Sequence, residues 1–285
     1  MRSLVSRNLR LFFSSKSSIF FSLLGALISF VLYILFLRQQ ITQSWSQISN
    51  YKQLLDLWLM GGTLTVTAIT TTGSSLGVLV RDRESNRLAD LILTGLSYEQ
   101  INFAYLISAW IIGIIMQVVM FVVMLTYFIF QDGISFDTST LLPILVVMLF
   151  SSLLWSVFNM FLYSFVKKVD TVGKINTIIG TASGFFAGVY MPIGAVPTFA
   201  QSLMKLTPAP YNAALFRQIM MNQQISDSLN KLPNSAITSF KKSLGITISS
   251  GSLNTLDVMF ISFGILIILS LVLYRYNKRV VVNKI

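Results

Sequence analysis

The sequence predicts an all-α integral membrane protein with six transmembrane helices, and three observations carry that prediction. Only 11% of the 285 residues are charged and 54% are hydrophobic, against about 25% charged in a soluble domain. Mean hydropathy is +0.73. The charge-free stretches are also long: about 20 apolar residues cross a hydrocarbon core of about 30 Å. Windows without Asp, Glu, Lys or Arg run Ser17–Leu37, Leu57–Val80, Gln100–Gln131, Thr138–Val166, Ile175–Met204 and Val258–Tyr274.

Composition also excludes functions. The chain has no Cys and no His, which removes disulfides, thiol chemistry, the usual zinc sites and His acid–base work. The net charge of +11 is dispersed between apolar runs, so it suits anionic lipid rather than nucleic acid. Fourteen of the 21 basic residues fall in the segments that contain both termini, the 81–97 stretch and 167–174; seven fall in the opposite set. The richer set is cytoplasmic by the positive-inside rule, so both termini face the cytoplasm of a multi-pass protein of the cell membrane.

The elements follow in order. In residues 1–16, Arg2, Arg7 and Arg10 alternate with Val5, Leu9, Phe12 and Phe13, which predicts an amphipathic helix lying in the interface; a frayed basic tail is the alternative. The first apolar run is too long for a signal-peptide core and no small-residue cleavage pattern follows it, so it reads as a retained span. Arg81–Ser97 is an island of dense charge in which Leu88, Leu91 and Ile92 share one helical face. It reads either as a short contact helix or as an ordinary solvated loop. Ser97 with Gln100 has the form of a capping box, which places the start of the third span near Tyr98.

Gly180, Gly184 and Gly188 repeat at the spacing that lets helices approach closely. Pro192, Pro197, Pro208 and Pro210 then predict that the fifth span stops near Met191, with short helices in or along the outer leaflet over 192–221. Residues 222–255 are polar and predict an external loop or cap, so 192–255 reads as one extracellular or re-entrant region. Trp45, Trp58 and Tyr274 read as interfacial anchors. No acidic residue lies deep in a predicted span, with Asp56 and Asp257 at hydrated span ends. That pattern argues against a carboxylate relay and for apolar or amphipathic cargo.

No phosphate loop exists: Gly173-Lys174 is the only Gly-Lys pair and lacks the motif spacing. No residue stands out as catalytic, and none as a metal ligand.

The island R-D-R-E-S-N-R-L-A-D-L-I-L-T-G-L-S resembles the R-E-x-E-x-G-T-L-E-x-L-x-x-T-P-[LIV]-S run between spans two and three of the type-two permease family of ABC transporters. Arg81, Glu84, Leu88, Leu91, Thr94, Leu96 and Ser97 match in register; Asp82 is a conservative exchange, Asn86 stands for Gly and Gly95 for Pro. Gly188 to Pro192, followed by Pro197, Pro208 and Pro210, is similar to that family's G-x-x-x-P-x-x-x-x-P segment and later prolines. The resemblance implies a single transmembrane permease domain over 1–285 and a half-transporter paired with a second permease copy, identical or paralogous. It implies a separate ABC ATP-binding subunit, with ATP and Mg held there and no cofactor in this chain. Carried over, Arg81, Glu84, Arg87, Leu88 and Leu91, with Arg7 and Arg10 of the N-terminal helix, meet that subunit. Pro192, Pro197, Pro208 and Pro210 belong to an extracellular gate. The implied function is ATP-driven export of a drug, antimicrobial peptide or lipid; a non-transporting sensor or scaffold, and a secondary carrier, are the alternatives.

Overall fold

A computed structural model describes residues 1–38, 50–134, 136–229, 233–248 and 254–282, with side chains in the last helix described only through Leu271 and not at 269. Among the described residues every regular element is helical. Helix α1 spans Arg2–Ser14 and buries Leu4, Asn8 and Phe12, a four-residue repeat on one face, while Arg2 and Arg10 stay exposed. Ser15 leaves the helical region (φ −95°, ψ 99°), and its side chain caps the next helix by accepting from Ser18 N–H at 3.2 Å. That helix, α2 (Lys16–Leu32), continues through a π-helical turn at Tyr33–Leu37. There follow α3 (Tyr51–Glu84), α4 (Arg87–Leu93), α5 (Tyr98–Asp132), α6 (Leu141–Ser164) and α7 (Val169–Phe186). Then come α8 (Thr198–Lys205), α9 (Ala209–Leu229), α10 (Asn234–Ser243) and α11 (Thr255–Val282).

Four segments are long and apolar enough to cross a membrane: Lys16–Leu37, Tyr51–Glu84, Tyr98–Asp132 and Thr138–Ser164. The predicted fifth window, Ile175–Met204, is not one helix. It divides at Phe186 into α7, a 3-10 turn at Ile193–Ala195, and α8. The stop near Met191 is borne out in kind but falls five residues earlier, where Gly188 takes φ +64°. The sixth window lies inside α11.

Helix α3 is the axis of the molecule; α2, α5, α6, α7 and α9 all pack on it. Lipid is as apolar as leucine, so helices in a membrane associate through close packing and hydrogen bonds rather than hydrophobic burial. The composition of α3 suits both. Thr63, Thr65, Thr67, Thr71 and Thr72 are wholly buried, and Thr67, Thr71 and Thr72 donate to carbonyls four residues back. A polar ladder joins the neighbours. Gln117 of α5 donates to Leu64 O (3.1 Å) and accepts from Ser152 (2.7 Å); Asn159 of α6 donates to Ile69 O (3.0 Å) and Thr72 Oγ1 (2.9 Å). Asn212 of α9 accepts from Ser151 (2.7 Å) and Trp155 (2.9 Å). At Gly113 a Cβ would meet Thr72 Cγ2 at 2.7 Å, so glycine sets the α3–α5 approach.

Two expectations on residues 192–255 need correction. Residues 209–229 form one 21-residue helix rather than short outer-leaflet pieces, because buried Ala213, Ala214 and Phe216 dock it along α3. The polar 222–255 stretch is not a plain loop: α9 extends to Leu229 and α10 adds ten residues. Trp58 is no interfacial anchor, being fully buried. Trp45 lies outside the described residues, as does the Tyr274 side chain.

Candidate functional site

The charged island is built from three pieces. The last turn of α3 carries Arg81–Glu84, a two-residue turn follows, and α4 then runs Arg87–Leu93. Two positive-φ residues make the turns. Asn86 sits at φ +58° where the resembled motif has Gly, and Asn tolerates that region better than most side chains. Gly95 sits at φ +84°, which no proline could adopt. Ser97 and Gln100 then form the expected capping box, with bonds of 3.2 and 3.1 Å, and α5 starts at Tyr98.

Beneath the island lies an ionic knot. Asp82 is wholly buried and accepts two bonds from the Arg7 guanidinium, at 2.6 and 2.9 Å, and a third from Tyr105 OH. Hydrogen bonding to the carboxylate holds Arg7 above its ordinary range. Asn8 adds a bond to Ser108 (3.3 Å). Helix α1 is thereby fastened to α3 and α5. Arg83 donates to Tyr163 O (3.2 Å) and Val166 O (2.9 Å), satisfying carbonyls at the end of α6. Glu84 accepts from Val169 N–H (2.8 Å) at the start of α7. Five helices therefore meet at Arg81–Glu84.

This geometry redistributes the residues expected to meet a partner. Arg7 is engaged inside the chain, and Glu84 holds α7. Leu88 and Leu91, with Ile92, are partly buried against the chain's own core of Leu4, Leu76, Leu79 and Val80. Arg10, Arg81 and Arg87 are exposed; Arg87 lies 3.9 Å from Asp82. Leu93, which the helical-face argument passed over, is the apolar side chain that α4 offers outward, 85% exposed. Arg83 and Tyr105 were also missed, since their roles depend on helices 20 or more residues away.

The other end of α3 holds a second arrangement. Asp56 and Asp82 are 26 positions apart, about 39 Å along a helix. Asp56 is not hydrated, as a span-end position implied, but wholly buried. It accepts from Tyr33 OH (2.7 Å), and Arg38 lies 3.9 Å away while bonding Asp132. Nearby, Arg217 of α9 is 2% exposed. Its guanidinium stands 4.6 Å above the Trp58 ring and donates to Trp58 O (3.1 Å), Ala187 O (3.1 Å) and Gly188 O (3.0 Å). Trp58 in turn donates to Leu244 O (2.8 Å). Gly61 and Gly62 make room: a Cβ would meet Arg217 Cγ at 2.9 Å and Arg217 Nη2 at 2.8 Å respectively. Arg217 thus binds α3, the turn after α7 and α9 into one clamp. Pro208 and Pro210 are buried at the start of α9, Pro197 precedes α8, and Pro192 opens the 3-10 turn. All four act as helix starters, where a missing N–H costs nothing.

A groove of about 750 Å³ separates α2 from α7, lined by Phe21, Leu24, Ile28, Leu32, Gly180 and Phe185 among others. Among the described residues no cluster of Asp and Glu is arranged to hold a metal.

No curated protein sequence matches the chain. The family model for "ABC-2 family transporter protein" matches residues 40–275, which include the island, the polar ladder and the Arg217 clamp. Members of that family are membrane transport components that work with an ATP-binding subunit and do not themselves hydrolyse ATP. With most of its length matched, the chain belongs to the ABC-2 transporter family, as a multi-pass membrane subunit.

Proposed function

We propose that this chain is the six-span permease of an ATP-driven exporter, with α7 and α11 as its fifth and sixth spans and both termini in the cytoplasm. Two copies, or this chain and a paralogue, face each other. An ATP-binding subunit docks on each cytoplasmic face, and the cargo is lipophilic or amphipathic: a drug, an antimicrobial peptide or a lipid. The apolar α2–α7 groove supplies a path of the right character, and α8 with the start of α9 closes its outer mouth through the four prolines.

One observation carries the reading. Helix α4 has two faces of opposite use: Leu88, Leu91 and Ile92 press on the chain's own core, while Arg87, Asp90 and Leu93 are presented outward, beside the exposed Arg81 at the end of α3. A push on the outer face is delivered to α3, which five helices share. Arg10 extends the same contact. Arg81→Glu combined with Leu93→Asp touches neither the ionic knot nor the core. The variant should keep its melting temperature yet lose ATP-dependent transport by about tenfold or more, as expected when a central interface contact is reversed in charge. Export at the parent rate would sink the proposal.

The buried Asp56–Arg38–Asp132 group favours a second reading, a proton-coupled carrier, since intramembrane carboxylates are the usual relay. Transport that survives ATP depletion and collapses with a protonophore would select it. The pairing of both carboxylates with Arg38 supports a structural role instead.

A further inference from the structure

A cavity of about 300 Å³ lies between α8, α10 and the 3-10 turn at Ile193–Ala195. Its polar lining is Gln201, Lys205, Ser239, Lys242, Ser243 and Thr247: two cations from two different helices, three hydroxyls, an amide and no carboxylate. Among the described residues neither lysine is joined to an acidic side chain. The walls are held firmly. At Gly194 a Cβ would meet Ser243 Cα and O at 2.7 Å, so the turn and α10 touch backbone to backbone. Gln201 is oriented by donating to Val196 O at 2.9 Å.

The opposite side of α8 is apolar and unpartnered. Phe199, Leu203 and Leu206 are 74%, 44% and 81% exposed. At 100° per residue these three fall within a 60° arc, whose centre lies about 170° from Gln201 and about 130° from Lys205. A short helix with one bare apolar face, opposite a polar side that carries Gln201 and Lys205, suits an element lying in a bilayer interface. With Phe199, Leu203 and Leu206 among acyl chains, the two-lysine cavity stands at headgroup depth.

We propose that this cavity binds the phosphate of an anionic phospholipid in the outer leaflet, with Lys205 and Lys242 as its counter-ions and Ser239 and Thr247 as hydroxyl donors. The outer placement rests on the orientation proposed above; the binding itself needs no second subunit. Basic pockets recognise anionic headgroups by charge and donor number, and the apolar face of α8 is what separates a lipid from a free anion as occupant.

The test is native mass spectrometry of the purified full chain with dihexanoyl phosphatidylglycerol, dihexanoyl phosphatidylcholine and inorganic phosphate as probes. Phosphatidylglycerol should be retained about tenfold more strongly than phosphatidylcholine, whose choline cation offsets the phosphate charge and is repelled by the two lysines. Lys205→Gln with Lys242→Gln should abolish that preference, and Lys241→Gln, which does not line the cavity, should keep it. A preference that survives in the double variant at an unchanged melting temperature overturns the site. Inorganic phosphate that displaces the lipid at equal concentration overturns the lipid as occupant. The chain is measured alone, so loss of ATP-driven transport with this binding intact counts only against the exporter reading.

Discussion

Replacing Asp82 with Ala releases the N-terminal helix and lowers stability by about 2–3 kcal/mol, less than for a fully buried ion pair because the Arg7 side chain keeps 31% exposure. The carboxylate is wholly buried and accepts from Arg7 twice and from Tyr105 once. Its loss leaves the Tyr105 phenol without an acceptor and the Arg7 guanidinium with only Asn8 Oδ1 at 3.2 Å, at the point where α1, α3 and α5 meet. Equilibrium unfolding in mixed detergent reads the energy, and protease cleavage after Arg10 reads the undocking of α1. A companion variant, Arg7→Met with Asp82→Leu, should recover part of the loss, since an apolar pair of similar size often matches a buried ion pair. A decrease below about 1 kcal/mol for Asp82→Ala, within the range of an exposed pair, would show that the knot does not hold the helix.

Arg217→Met should be the most damaging change at the Asp56 end of α3. The side chain keeps its apolar stem but loses three donors, so the carbonyls of Ala187 and Gly188, past the end of α7, go without a partner, while Trp58 O keeps only its bond within α3. Each unsatisfied buried group costs about 1–3 kcal/mol, giving a total of about 2 kcal/mol or more for the two carbonyls. Arg217→Lys should resemble Met more than the parent. An ammonium has no planar fork with which to lie over the Trp58 ring and reach two chain segments at once. The loss should appear as a lower melting temperature, together with faster hydrogen exchange at 187–191. If Lys is fully tolerated, the planar clamp is the wrong description.

What could be read from the sequence was what local spacing specifies. The charge-free runs mark the long helices, the Ser97–Gln100 pair marks the start of α5, and the missing phosphate loop sends ATP chemistry elsewhere. The island was found from its charge, and its resemblance carried the family. What could not be read depends on contacts between distant helices. Arg7 and Asp82 are 75 positions apart, so the same charges that suggested a partner-facing patch turn out to pair with each other. Leu88 and Leu91 share a helical face, but periodicity does not say which side is the chain's own core; only packing shows that Leu93 is the outward residue. Arg217 counted as one more outer cation, because nothing local announces the glycines 156 and 155 positions earlier that make room for it. Asp56 looked hydrated because span ends usually are, whereas α2 and α5 close over it. The segmentation after Phe186 was legible because proline and glycine act locally, and the length of α9 was not.

The central claim is that energy from a separate nucleotide-hydrolysing subunit enters through α4. The chain has no cysteine, so Leu93→Cys gives a single thiol on the face in question. In membranes carrying the intact complex, a thiol crosslinker delivered from the cytoplasmic side should join position 93 to an ATP-binding subunit, and Arg81→Glu should weaken that crosslink. Labelling of the same thiol only by a membrane-impermeant reagent outside the cell, with no ATP-binding protein captured, would contradict the account.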